Sequence, residues 1–471
     1  MPINKEEIRA HYNSIADAHE AFIRIHAYYH RAVARYYQFC IPKGFSVLEL
    51  GCSTGELLSS LEPSYGIGVD ISEEMVMRAK KKYPHLNFIC QDIETLTLEG
   101  KFDYIIISGT LACLEDIQQF LIRIQAFCHP QTRIIINYYN HLWESLLLLG
   151  EKLHLKIPET HHNWLSIDDI KNFLHISGYE VIRYDFDLLL PIYIPLVSTL
   201  LNKTIGKLPG INRLCLSQFA VARLDIPPGD PGNLIASVVI TCRDEKGNIE
   251  ELVQRTPSLG VHTEIIFVEG HSRDGTREEI ERVITQYPQK DIKLLIQDGI
   301  GQGDALRKGF DHAKGDFILL LEADLTTPPE ELCKFWDTYC RGRCEYANGT
   351  RLVYQMQKTS MPVINFIGNR FFGNLFTWLL GQRFTDTLCG LKAITRQGYE
   401  RIRRERGFFG DFDPFGDFEI IFGAVKNNLK VADIPVQYFP RHYGITKTKP
   451  FRHGWLLLKM CAIAFRRFKL L

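Results

Sequence analysis

Short apolar runs bounded by turn residues recur through the first half of the chain: Ser46–Leu50, Gly66–Asp70, Asn87–Cys90, Tyr104–Ser108 and Arg133–Asn137. Runs of this length, rich in Val, Ile and aromatic residues, predict buried strands. Between them Glu73–Lys82 and Asp116–Cys128 carry apolar residues at helical spacing. The alternation predicts a doubly wound parallel sheet. It stops at Asp225–Asn233 (DIPPGDPGN), where prolines and glycines at turn spacing mark a linker. Beyond it the pattern restarts, with strands at Ala236–Thr241, Glu264–Glu269, Lys293–Gln297 and Phe317–Leu321, and helices from about Lys246, Thr276, Asp304 and Pro329. The fold class is therefore α/β with two doubly wound domains, 1–224 and 235–471, joined by a linker at 225–234.

Two stretches break the pattern. Leu188–Leu201 (LLLPIYIPLVSTLL) lies in an apolar region that runs on from Trp143. It is shorter than the roughly 18 to 20 residues that span a bilayer and is broken by Pro191 and Pro195. It reads as a core insertion or as a segment lying in a membrane interface. Trp455–Leu471 interleaves apolar residues with Lys459, Arg466 and Arg467, the pattern of an amphipathic basic helix on a lipid surface. Phe451, Trp455, Phe465 and Phe468 suit a headgroup boundary.

Composition sets limits. Lys plus Arg and Asp plus Glu both number 55 in 471 residues, which gives no whole-chain signal for nucleic acid. The exception is local: no acid follows Asp433, while Arg441, Lys447, Lys449, Arg452, Lys459, Arg466, Arg467 and Lys469 do. An anionic partner, phosphate or a lipid surface, is expected there. The 12 cysteines are scattered without a CxxC pair, and Met1–Ala10 has no leader character, as expected for reduced thiols in the cytoplasm. The spacing of Cys333, Cys340 and Cys344 matches no common zinc pattern.

Candidate chemistry appears first at Val47–Gly55 (VLELGCSTG). Gly51 and Gly55 let the backbone turn tightly between strand and helix, and Asp70 ends the next strand, where a carboxylate can take both hydroxyls of a ribose. ELGCSTG lacks the GxGxxG register and resembles motif I of class I S-adenosylmethionine-dependent methyltransferases, with Glu49 opening it. The resemblance runs over roughly Tyr12–Cys128 and implies a Rossmann-like domain that binds S-adenosylmethionine (AdoMet). It makes Asp70 the ribose-binding acid, Gln91, Asp92 and Ile93 the adenine contact, and Phe102–Leu111 the strand and loop facing the reacting methyl.

In the second half, Asp244 and Glu245 follow the first strand, Glu269 and Asp274 lie in the loop after the second, and Glu322 and Asp324 stand at i and i+2 beyond the strand ending at Leu321. Two carboxylates so placed can share a divalent cation that also holds a diphosphate. The order TCRDE, VEGHSRDGT, EADLTTPPE, NGTRL and DTLCGLK resembles the family 2 glycosyltransferases of the GT-A fold, in particular the dolichyl- and polyprenyl-phosphate sugar synthases. That implies a UDP- or GDP-linked sugar, Mg or Mn, an inverting transfer and a polyprenyl-phosphate acceptor. By the same resemblance Asp244, Glu245 and Glu269, with Asp274 in the same loop and Gln302, address the nucleotide. Glu322 and Asp324 hold the metal; Arg351, with Arg441 and Lys447, holds the acceptor phosphate; Asp386 and Asp417 line the sugar and acceptor pocket. Glu322 stands where the family more often has Asp, Gly270 where many members have a second acid, and Gln302 where Lys is common, so the base of the donor stays open.

These readings describe a bifunctional enzyme peripheral to the inner, cytoplasmic face of a membrane, with no nucleic-acid partner. Two alternatives remain: an active glycosyltransferase beside a non-catalytic binding module, and an interaction scaffold of two retired enzyme folds.

Overall fold

The computed structural model describes residues 4–159, 163–355, 361–408, 416–441, 443 and 450–470. The chain separates into two compact units, one of Met1–Asp225 with Lys469–Leu471 and one of Ile226–Phe468.

The first unit opens with three helices, Lys5–Ser14, Ala16–Ile25 and Ala27–Cys40; the Asn4 side chain caps the first by accepting the Glu6 and Glu7 N–H groups. Its strands are β1 (Ser46–Leu50), β2 (Tyr65–Asp70), β3 (Asn87–Cys90), β4 (Phe102–Ser108), β5 (Cys128–Tyr139), β6 (Tyr179–Asp187) and β7 (Ser217–Leu224), in the sheet order β3-β2-β1-β4-β5-β7-β6. The order reverses between β1 and β4, which puts the β1 and β4 loops at one crevice. β1 to β5 pair in parallel, as predicted, but β7 runs antiparallel to both β5 and β6, so the sheet is mixed. β6 and β7 escape an apolar pattern because they carry buried polar residues, several of which find partners inside the fold. Arg223 pairs with Glu180 at 2.8 Å, and the Gln218 amide donates to the Leu165 carbonyl at 2.7 Å.

The second unit holds β8 (Ile235–Cys242), β9 (His262–Glu269), β10 (Asp291–Ile296), β11 (Phe317–Glu322), β12 (Tyr346–Thr350), β13 (Lys392–Thr395) and β14 (Val431–Pro435), in the order β10-β9-β8-β11-β13-β12-β14. β8 to β11 pair in parallel and match the predicted strands; β13 is antiparallel to β11 and β12, so this sheet too is mixed. Its core is the apolar faces of β8, β9 and β11 against helices Ile249–Arg255, Thr276–Gln286 and Leu332–Cys340.

The terminal helix Pro450–Ala464 continues as a π-helix over Phe465–Lys469. It buries Leu457, Met460, Cys461, Ala464 and Phe468, and the Phe468 ring lies 5.8 Å from that of Phe422. Phe468 is thus a core residue, not a headgroup-level one, and Phe465 meets Trp378 at 6.1 Å. Trp455 and Leu458 remain exposed on this helix, as do Val363, Ile364, Ile367 and Phe371 on helix Val363–Leu380. The side chain of Phe451 lies outside the described residues. Among the described residues no helix is long and apolar enough to cross a membrane.

Candidate active sites

In the first unit a cavity of about 230 Å³ opens at the carboxyl ends of β1, β2 and β4. Gly51, Ser53, Asp70, Asp92, Ile93, Ser108 and Thr110 form its sheet side. Gly51 has φ 85°, and a Cβ there would fall 2.3 Å from Thr110 Oγ1, so only glycine passes this crossing. Asp70 accepts the Ser53 N–H at 2.8 Å on one oxygen and the Ser72 N–H at 2.9 Å on the other, which aims the carboxylate into the cavity mouth. Burial raises its pKa, against the pull of these backbone donors. Asp92 accepts the Glu94 N–H at 3.0 Å and lies 3.9 Å from Lys5.

Two expected contacts give way. Glu49 does not line the cavity: it is buried, accepts the Leu58 N–H at 3.1 Å and so anchors the start of helix Glu56–Ser60, while burial pushes its carboxyl well up. Gly55, at φ 81°, is the N-cap of the same helix with its absent Cβ against Phe88; it shapes the loop without facing the cavity.

Sequence reasoning missed the lid. Lys5, Tyr12, His19, Phe22 and His30 come from the three N-terminal helices, Tyr139 from the end of β5, and Lys156–Glu159 from beyond it. The density of His and Tyr in residues 11–37 was the available signal. Tyr12 OH lies 3.6 Å from Cys113 Sγ, and Ser53 Oγ 3.3 Å from the His19 ring. Burial, with His19 and His26 nearby, lowers His30 to about 4, so its imidazole is neutral at pH 7.

In the second unit the predicted acids converge at the carboxyl ends of β8, β9 and β11. Arg441 donates to Glu245 at 2.8 Å and to Asp324 at 2.7 Å. The other Asp324 oxygen accepts the Thr326 N–H at 3.1 Å and hydroxyl at 2.7 Å. Glu322 takes the Gln302 amide at 3.0 Å, and a Cβ on Gly390 would fall 2.1 Å from its carboxyl carbon. A side chain at 390 would therefore displace the Glu322 carboxylate. Burial, with Asp324 and Asp417 close by, pushes Glu322 up to about 7. Asp417 in turn is 3.2 Å from the buried Lys392.

The loops after β8 and β9 are held by their own carboxylates. Asp244, in the left-handed region at φ 56°, accepts the Arg273 N–H at 2.8 Å, and Glu269 accepts the Ser272 N–H at 2.5 Å. Asp274 accepts the Lys246 N–H at 3.1 Å and the Tyr443 hydroxyl at 3.2 Å, and its other oxygen takes the Thr276 N–H at 3.0 Å. These three acids order the loops around Glu245.

Arg351 and Asp386 do not stand as separate ligand groups. Nε and Nη2 of Arg351 donate to the two Asp386 oxygens at 2.7 and 2.9 Å, its backbone N–H adds a third contact at 3.2 Å, and the guanidinium lies 5.0 Å from the Tyr438 ring. Burial pushes the Asp386 carboxyl up, and Arg351 more than offsets it, holding the acid ionised. Asp386 therefore positions Arg351, whose Nη1 makes no hydrogen bond among the described residues. Likewise Arg441 is paired, with Glu245 and Asp324. Lys447 lies outside the described residues. Among the described residues no three His, Cys, Asp or Glu side chains cluster as a metal site, and Cys333, Cys340 and Cys344 form no disulfide. The donors do fit a cation shared with a ligand, since Mg²⁺ is commonly held by one or two carboxylates completed by phosphate and water.

Residues 237–404 match the family model described as Glycosyl transferase family 2, and residues 21–184 match one described as a Methyltransferase domain. A glycosyltransferase, AglJ, of Haloferax volcanii is 28% identical over 195 residues, 41% of this chain and 60% of that protein. An undecaprenyl-phosphate 4-deoxy-4-formamido-L-arabinose transferase of Salmonella paratyphi B is 36% identical over 220 residues, 45% of this chain and 62% of that protein. The chain thus spans less than two thirds of the length of these relatives. A SAM-dependent methyltransferase of Thermotoga maritima aligns in structure with a TM-score of 0.37 and 16% identity, over 46% of this chain and 99% of that one.

Proposed function

We propose that this chain, which carries a methyltransferase domain followed by a family 2 glycosyl transferase domain, moves a sugar from a nucleotide diphosphate to a polyprenyl phosphate and a methyl group from AdoMet to a second acceptor. The observation that carries the glycosyl transfer is Arg441 seated between Glu245 and Asp324. A cation held between a nucleoside-side acid and a metal-side acid marks where a diphosphate would lie. A divalent cation bound there would draw off the negative charge that builds on the leaving diphosphate. The chain's own residues do the rest. Glu322 and Asp324 would hold that cation, and Arg351, fixed by Asp386, offers Nη1 to the acceptor phosphate. An acceptor oxygen then bonds to the anomeric carbon as the bond to the nucleoside diphosphate breaks, with inversion. The phosphate nucleophile is already anionic, so no strong base is needed.

In the first unit Asp70 would take the ribose hydroxyls, Asp92 and Ile93 the adenine, and the crossing at Gly51 the amino-acid end of AdoMet. The neutral His30 suits a site that receives a sulfonium. The exposed stripe Val363, Ile364, Ile367 and Phe371, together with Trp455, Leu458 and the cations Arg370 and Lys459, supports seating of the second unit on an anionic membrane, at the inner face where nucleotide sugars are made.

Two measurements test this. The full chain is incubated with UDP- and GDP-sugars, Mg or Mn and polyprenyl phosphate, and lipids are read by mass spectrometry; a hexose adduct that disappears in Asp324→Ala is expected, and an adduct that survives that change refutes the site. AdoMet binding by calorimetry is expected to weaken by roughly 10- to 100-fold in Asp70→Ala, the worth of hydrogen bonds to a charged acceptor; unchanged affinity removes the cofactor reading.

A further inference from the structure

We infer that the first unit docks on an anionic lipid surface through an apolar belt around the mouth of its cavity, and that its methyl acceptor is an amphiphile drawn from that surface. The inference rests on the reading of this cavity as the AdoMet site.

The belt begins with helix Glu144–Lys152, in which no residue is buried although it holds four consecutive leucines. Leu142, Leu146, Leu149 and Leu153, spaced to share one face, are 54, 58, 50 and 58% exposed. A second segment adds Ile192, Tyr193, Leu196 and Leu200, with Leu196 at 85% exposure. The two are joined through the structure. Helix Val197–Lys203 contacts Ile205–Lys207, which contacts Ile211–Leu214, and the Trp143 indole donates to the Leu214 carbonyl at 2.8 Å. Leu208 and Leu214, on that path, are exposed as well. Water-facing apolar surface of this extent marks an interaction site.

Charge selects the occupant. From Leu188 to Leu216 the chain has no acid but carries Lys203, Lys207 and Arg213. Lys207 is neutralised by Asp187 at 2.7 Å, and Arg213 is exposed. Apolar side chains beside Lys203 and Arg213, on a non-helical stretch with Pro191 and Pro195 and the short helix after it, match a lipid interface bearing anionic headgroups.

Position gives the acceptor class. The excursion 140–155 both leaves and rejoins the cavity wall, since Tyr139 and Lys156 line the cavity. The other segment is anchored beside it: Asn202 donates to the Tyr28 hydroxyl at 3.0 Å and the Tyr193 ring lies 5.6 Å from that of Tyr28, two residues before the cavity-lining His30. An acceptor with its polar head at His19, His30 and Tyr139 would leave its tail in the bilayer that the belt touches.

The test uses the full chain with Cys90→Ser and Cys333→Ser, carrying a single environment-sensitive fluorophore at Leu149→Cys, at Leu196→Cys, or at the control Met77→Cys on helix Glu73–Lys82. Vesicles of phosphatidylcholine are compared with vesicles containing phosphatidylglycerol, and AdoMet binding is measured on the same proteins. A severalfold fluorescence rise with a blue shift at 149 and 196, stronger with the anionic vesicles and absent at 77, is expected. It should vanish when Leu146→Glu and Leu200→Glu are added while AdoMet still binds. Labels at 149 and 196 that stay in water while the chain sediments with vesicles overturn the docking and leave the cavity reading intact. The same result follows from a shift that appears with rising protein concentration in the absence of vesicles, which would make a second copy the occupant. A vesicle response in a chain that binds no AdoMet overturns the acceptor assignment through its premise.

Discussion

Arg441 Nη2 lies 2.7 Å from Asp324 Oδ2. With Glu245 on its other arm, the guanidinium holds together two acids that would otherwise repel, and on the proposed reading its remaining N–H groups take the donor phosphate. Arg441→Ala is expected to weaken binding of the nucleoside diphosphate by roughly 10- to 100-fold, the worth of a charge-assisted hydrogen bond. Arg441→Lys should recover only part, because a point charge cannot bridge both acids. Calorimetric titration with UDP and GDP in the presence of Mg or Mn decides; equal affinities in all three proteins would detach Arg441 from the donor site.

The Arg351–Asp386 pair is buried and bidentate, with Asp386 inaccessible to solvent. Breaking a buried pair leaves one charge uncompensated, at about 3 to 5 kcal/mol. Asp386→Asn should therefore lower the denaturant midpoint strongly, and Arg351→Met combined with it should lower it less than the two single changes summed. Strict additivity would mean that the pair does not act as a unit.

Gly51→Ala places a methyl 2.3 Å from Thr110 Oγ1, an atom tied to the Leu50 carbonyl at 2.9 Å, and forces alanine to φ 85°. A stability loss of about 1 to 3 kcal/mol is expected, together with weaker AdoMet binding. Adding Thr110→Ala should relieve the clash but not the backbone strain, so thermal melting of the double variant should fall between that of the single variant and the parent chain.

His30 supplies a pH dependence. Its folded pKa is lowered to about 4, whereas the unfolded chain titrates at the ordinary imidazole value of about 6.5. Between these values the unfolded state binds a proton that the folded state refuses. The contribution to stability is fully present above the unfolded value and is lost as pH falls toward the folded one. His30→Gln should flatten the slope of unfolding free energy against pH in this window. A slope unchanged by the substitution would show that imidazole burial is not its source.

The sequence by itself determined β1 to β5 and β8 to β11, most of them carried by runs of consecutive apolar residues, and with them the strand ends that carry Asp70, Glu322 and Asp324. Periodicity is local, and a buried parallel strand writes it in consecutive residues. It fails where polar side chains find partners inside the fold, as in β7 with Gln218 and Arg223, and in β12 with Asn348, whose amide donates to Asp433 at 2.9 Å. Only the tertiary structure decided which partner each acid takes. Glu49 looked like a cofactor contact and anchors a helix; Arg441 looked like an acceptor-phosphate contact and instead joins Glu245, 196 residues away, to Asp324. Such pairings depend on chain segments far apart in sequence being packed together, and no local pattern of residues records that distance.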